Sequence, residues 1–412
     1  MPSLFDLERN EDVPTLIEVL QQSDNPTIRE RAAEILGNLE ETGEEGIEAL
    51  VETVHSDESE SVRAAAIDAL TALDAIDALL DALGREIPES AATWKKAESI
   101  VSDLSADEPA LRMAAANVLG RLGEGTAVRP LVEALADSDP RVRARVARAI
   151  GRIGDPSAAG ALVDHLEGEP LTVRREVADA LGYLGNQDSL EGLLSIADDE
   201  SETMRRTVAS SLGRFGNPQP LDVLVEMLSD PSDLVRRAAV FSLIEILSNV
   251  DSDQSDELRQ GIVERMSQRD DPSIVRSLAE IIEEGTQVHQ RRNAVWMLGR
   301  VTGGASRNRA IEVLVDVLDD EDQLIQQFAA TSLAEIGGRK VESALLEVIE
   351  SGASADAVGM AAFTLGKVGG DRSVPKLEML VNTTENEQVR QHAFSALSKL
   401  ERSGPSPEDL EF

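Results

Sequence analysis

The chain has 412 residues, 42% of them hydrophobic but only 2% aromatic, so its core must be built from Leu, Val, Ile and Ala, a mixture suited to close helix packing. Acidic residues number 77 against 39 Lys and Arg, giving a formal net charge of -38 spread along the whole length, which argues against nucleic acid as a partner because phosphate binding needs a net positive face. With no cysteine, disulfide frameworks, thiolate zinc sites and cysteine nucleophiles are excluded.

Only six of the basic residues are Lys (Lys95, Lys96, Lys340, Lys367, Lys376, Lys399), so Arg carries nearly all the positive charge. Acidic excess with so little Lys resembles proteins of extreme halophiles. In molar salt the Debye length is about 3 Å, and self-repulsion that would strain this chain in dilute buffer is largely screened. The opening stretch, MPSLFDLERNEDVP, lacks a basic region followed by an apolar run, and no stretch of about 18 residues is apolar and uncharged. A soluble cytoplasmic monomer, without membrane association, is expected.

Taken in chain order, the sequence divides into helix-pair units at 13–41, 46–75, 76–123, 127–155, 158–186, 188–217, 219–248, 251–304, 308–338, 340–370 and 371–402. The central units set the register: VRARVARAIGRIGD at 142–155, VRREVADALGYLGN at 173–186, MRRTVASSLGRFGN at 204–217 and VRRAAVFSLIEIL at 235–247. Their leading residues Arg143, Arg174, Arg205 and Arg236 recur every 31 residues, a period that signals a solenoid. Arg29, Arg63, Arg112, Arg291 and Arg390 fill the same slot elsewhere, with Gln326 and Val358 in two late units.

The unit at 127–155 shows how each pair is written. Val128, Leu131, Val132 and Leu135 have the three-and-four spacing of an amphipathic helix. Asp139 then supplies a cap oxygen and Pro140 a preset φ at the first helical position. Val142, Val146, Ala149 and Ile150 share one face of the second helix, while Gly151 permits close packing and Gly154 a left-handed stop. A pair this short cannot bury enough apolar surface alone, so stacking must create the core. Two steps break the rhythm: 49 residues from Arg63 to Arg112, around GREIPESAATWKK at 84–96, and 55 from Arg236 to Arg291, after SNVDSDQSDE at 248–257. The expected organisation is therefore a repeat block over 1–248, an acidic linker or hinge at 249–257, a second block over 258–402 and a flexible acidic tail at 403–412.

The second-helix pattern VRxxAAxALGxLG resembles HEAT repeats, in particular the short type named after phycobilisome lyases, over roughly residues 13–402. The resemblance implies an all-α solenoid of about ten or eleven HEAT-like hairpins. It also implies pairing between an Asp near the inter-helix turn and the second-helix Arg six positions on. Asp57, Asp137, Asp199, Asp230 and Asp320 stand at that spacing, whereas Ser23, Ala106 and Gly168 interrupt it, so the ladder is expected to be incomplete.

Residues for chemistry are sparse. His55, His165, His289 and His392 have no partner at metal-ligand spacing, no HExxH occurs, and the His-Glu dipeptides of HEAT-like iron hydroxylases are missing. Phosphate-binding glycine loops and a GxSxG elbow are also missing. No catalytic residue, metal or cofactor is expected, although a bilin-lyase-like or metal-hydroxylase enzyme on a HEAT scaffold is the alternative function. The resemblance implies that second helices line the inner face. Arg doublets open several of them: Arg174 with Arg175, Arg205 with Arg206, Arg236 with Arg237, and Arg291 with Arg292. Helix 142–153 instead carries Arg143, Arg145, Arg148 and Arg152, preceded by Arg141. The expected partner-binding residues are Arg143, Arg145, Arg174, Arg175, Arg205, Arg206, Arg236, Arg237, Arg291 and Arg292. The function they imply is a non-catalytic scaffold or adaptor for other proteins, in taxis signalling to the motility machinery by analogy with halophile relatives of this repeat type.

Overall fold

In the computed structural model, residues 3–39, 41–84, 91–249, 252–267, 271–301, 304 and 306–402 are described. Among them 25 α-helices and four short 3-10 segments follow one another without a strand, which makes the fold an all-α solenoid. It comprises two compact units, Met1–Ser211 and Leu212–Phe412.

In the first unit Val13–Gln22 pairs with Pro26–Asn38, Gly43–Ser56 with Glu60–Ala72, Val128–Ala134 with Pro140–Ile153, and Ala159–Val163 with Leu171–Leu184. In the second, Leu221–Met227 pairs with Asp233–Asn249, Arg307–Asp316 with Gln323–Ile336, Gly338–Glu350 with Ala355–Val368, and Val374–Thr383 with Glu387–Arg402. Within each unit, second helices pack on second helices of neighbouring repeats.

Both irregular steps are additional helices. Ile76–Ala82 and Thr93–Ile100 both precede the second helix Pro109–Leu122, and Ser252–Ser267 and Pro272–Glu284 both precede Val288–Leu298. Of the stretch 84–96, residues 85–90 lie outside the described residues. Of the expected linker at 249–257, residues 250 and 251 lie outside them, and a helix begins at Ser252. The expected tail at 403–412 lies outside them as well.

The Pro140–Ile153 helix forms for the reasons its residues suggest. The Asp139 carboxylate accepts from the Arg141 amide at 2.8 Å, and Pro140 occupies the first turn, where its missing N–H costs nothing. Val142, Val146 and Ile150 are fully buried and Ala149 nearly so, each larger side chain contributing about 1.5–3 kcal/mol of transfer free energy. Gly154 ends the helix at φ +74°, a left-handed conformation that a Cβ would disfavour. A Cβ built on Gly151 would lie 2.8 Å from the Cα of Ala180 on the next second helix, so glycine here lets two backbones touch.

Candidate functional site

The recurring Arg slot forms an inter-repeat ladder. Arg29, Arg112, Arg143, Arg174, Arg236 and Arg291 each reach back to a carbonyl at or beside the inter-helix turn of their own repeat and forward to a carboxylate at the turn of the next. Arg29 donates to the Ser23 carbonyl at 2.7 Å and, through Nε and Nη2, to both Asp57 oxygens at 2.7 and 2.9 Å. Arg112 does the same with the Ala106 carbonyl and with Asp137, at 2.6 and 3.0 Å to the carboxylate. Arg143 takes the Asp137 carbonyl and Glu169, and Arg174 takes the Leu166 carbonyl and Asp199. In the second unit Arg236 joins the Asp230 carbonyl to Asp271, and Arg291 joins the Ile282 carbonyl to Asp320.

This arrangement corrects the pairing implied by the resemblance. The Asp six positions before an arginine offers that arginine its backbone carbonyl, not its carboxylate, which serves the preceding repeat. For that reason Ser23 and Ala106 do not interrupt the ladder on their own side, since any residue supplies a carbonyl. At Gly168 the missing carboxylate is replaced by Glu169, one position later. A weak rung is Arg63, whose forward carboxylate is the half-exposed Glu108 at 3.4 Å.

Ladder carboxylates are fixed from two sides. Asp57 also accepts the Ser59 amide at 2.8 Å, as Asp199 accepts that of Ser201. Burial acts to raise the pKa of both, but hydrogen bonds from Arg29 and Ser59 at Asp57, and from Arg174 and Ser201 at Asp199, hold each carboxyl below the usual range. Arg112 and Asp137 are only 11% and 9% exposed, and the bidentate fork leaves little to water. Asp137→Ala strands the Arg112 guanidinium and should lower stability by about 2–4 kcal/mol, read from the urea midpoint in molar salt. An unchanged midpoint would mean the rung carries no load.

The ladder divides the ten arginines expected to bind partners. Arg143, Arg174, Arg236 and Arg291 are forward rungs, and Arg205 donates back to the Asp199 and Glu200 carbonyls. Arg145 forms a bidentate pair with Asp68, two second helices away, and Arg292 one with Asp322. Arg237 pairs with Glu280 and lies over the Phe241 ring at 5.7 Å. Arg175 and Arg206 are exposed and make no hydrogen bond or ion pair among the described residues. They occupy the same position on successive second helices, one residue after the ladder slot.

Among the described residues no three His, Cys, Asp or Glu side chains come together as a metal would require, and no helix is long and apolar enough to cross a membrane. His165 bonds Glu169 beside the ladder, and His392 bonds the Gly359 carbonyl. Both are explained by packing.

The model for HEAT repeats matches residues 13–93, 97–178, 161–244 and 311–398, most of the chain. The protein belongs to the HEAT-repeat family. This HEAT-repeat chain is also 61% identical over 403 residues to a HEAT repeat-containing taxis protein of Halobacterium salinarum, covering 97% of this chain and 99% of that one. The acidic, Lys-poor HEAT-repeat surface read from the sequence thus has a haloarchaeal relative.

Proposed function

We propose that the chain is a non-catalytic adaptor of the cytoplasm, holding partner proteins on side chains of its second helices, and that those partners belong to taxis signalling towards the motility machinery. The observation that carries this reading is end-to-end similarity, at 61% identity, to a protein named for taxis, on a repeat fold whose stacked helices offer extended surface. Arg175 and Arg206 support it, being exposed cations that take no part in the ladder.

Affinity purification of the tagged chain from its own cells in molar salt should recover a taxis protein in stoichiometric amount. Arg175→Glu with Arg206→Glu should lower that recovery at least ten-fold and leave the helical circular dichroism unchanged, because neither residue has a partner to lose among the described residues. Recovery of the wild-type chain alone would refute the adaptor reading.

A further inference from the structure

Pro140–Ile153 forms one wall of a groove of about 500 Å³ within the first unit, and its arginines supply most of the groove's positive charge. Arg141, Arg145, Arg148 and Arg152 recur at the three-and-four spacing that puts them on one helix face, and Arg121 of Pro109–Leu122 joins them. The floor is made of small residues of the Glu60–Ala72 helix, Ala64, Ala65, Ala69 and Ala72, which leave the space that the long arginines cross. Five arginines line the groove against three carboxylates, Glu30, Glu34 and Asp68. Glu60, Asp74, Asp139 and Glu176 pair with these arginines from outside the lining, so the groove concentrates cations in a chain of net charge -38 without reversing the net sign around it.

The arginines are unequally satisfied. Arg141 pairs with Glu60 and Asp139, Arg145 with Asp68, and Arg148 with Glu176 through Nε and Nη2. Arg121 pairs with Asp74 and donates to the Thr71 carbonyl at 2.5 Å, but its buried Nε has no acceptor. Arg152 has no hydrogen bond or ion pair among the described residues. Although Arg152 is exposed, the groove walls partly desolvate its guanidinium, and Arg121 and Arg148 add repulsion; together they hold its pKa below the ordinary arginine value. A bound anion would offset both by favouring the charged guanidinium.

We propose that this groove binds an acidic peptide segment of a partner protein, with Arg121 and Arg152 receiving its carboxylates. The proposal rests on the adaptor reading and names the chemistry of one of its contact sites. From Arg141 to Arg152 the row rises about 16 Å along the helix axis, which an extended run of about five residues spans. Guanidinium forks suit planar carboxylates, whereas the groove lining offers no aromatic ring on which a nucleobase would stack. Glu30 and Glu34 on the Pro26–Asn38 helix repel acidic side chains and confine them to the arginine wall.

Fluorescence anisotropy with a labelled deca-glutamate peptide, in about 1 M KCl, tests the assignment. The wild-type chain should bind saturably, Arg121→Glu with Arg152→Glu should weaken binding at least ten-fold, and Arg152→Gln alone several-fold. Arg129→Glu, on an exposed first-helix residue, should bind as the wild type does. Absence of saturable binding, or equal binding by Arg152→Gln and the double variant, would overturn the proposal. Binding of inorganic phosphate as tight as that of the peptide would overturn it too, by making the groove a small-anion site. Partner recovery by the wild type without deca-glutamate binding would sink the groove and leave the adaptor reading standing; the opposite pattern would sink the adaptor reading alone.

Discussion

Dialysis from about 3 M to 0.3 M KCl should strip this protein of much of its helical circular dichroism and lower its melting temperature by on the order of 10 °C or more. A net charge of -38 on 412 residues produces self-repulsion that grows as the Debye length lengthens from about 2 Å towards 6 Å. Against it stand ladder pairs such as Arg112 with Asp137 and Arg143 with Glu169, whose side chains are all 15% exposed or less. Such partly buried contacts are screened far less than surface charges, so high salt removes the repulsion and leaves the ladder in place. In a repeat array loss is expected to begin at weak rungs such as that of Arg63 and Glu108. Helix content and melting temperature followed across a KCl series check this. A melting temperature independent of salt would refute halophilic adaptation of this chain.

Gly151→Val should be among the most damaging single changes in the first unit, costing about 3 kcal/mol or more in molar salt. The new Cβ would sit 2.8 Å from the Cα and 2.9 Å from the Cβ of Ala180, and a backbone atom cannot swing aside as a side chain can. Gly120 stands in the same relation to Ala149, and Gly182 to Ser211, so the contact is a repeated element of the stack. Gly151→Ala separates packing from propensity. It gains up to about 1 kcal/mol of helix propensity, yet should still destabilise because the Cβ alone makes the clash. Gly160→Ala serves as the comparison, since its Cβ would meet nothing within 4 Å and it should be neutral or slightly stabilising. Urea midpoints rank the three. Equal midpoints for Gly151→Val and Gly160→Ala would show that the second helices can slide apart at little cost.

Ala180 shows why such a contact is only half legible in sequence. The small residue at position 151 is visible, and close packing follows from it, but its partner lies 29 positions on and is found only once the repeats are stacked. Among the candidate binding residues the same holds more strongly. Arg174 and Arg175 look equivalent as neighbours in the chain, yet one is held by Asp199 and the Leu166 carbonyl and the other stands in solvent. Helical geometry points successive side chains about 100° apart, and the turn of the next repeat meets only one of them.

What the sequence determined by itself is everything governed by short range and by period. The 31-residue register from Arg143 to Arg236, the Asp139–Pro140 helix start, the Gly154 stop and the all-helical fold need only local conformational preference and one repeated apolar face. The tertiary structure alone decided which charges meet. Asp57 is six residues from Arg63 but gives its carboxylate to Arg29, 28 residues away, and Arg145 reaches past one second helix to Asp68. Those choices depend on the offset between stacked repeats and on the alanine floor beneath the long arginines. Both are properties of the packed array, and no single repeat contains them.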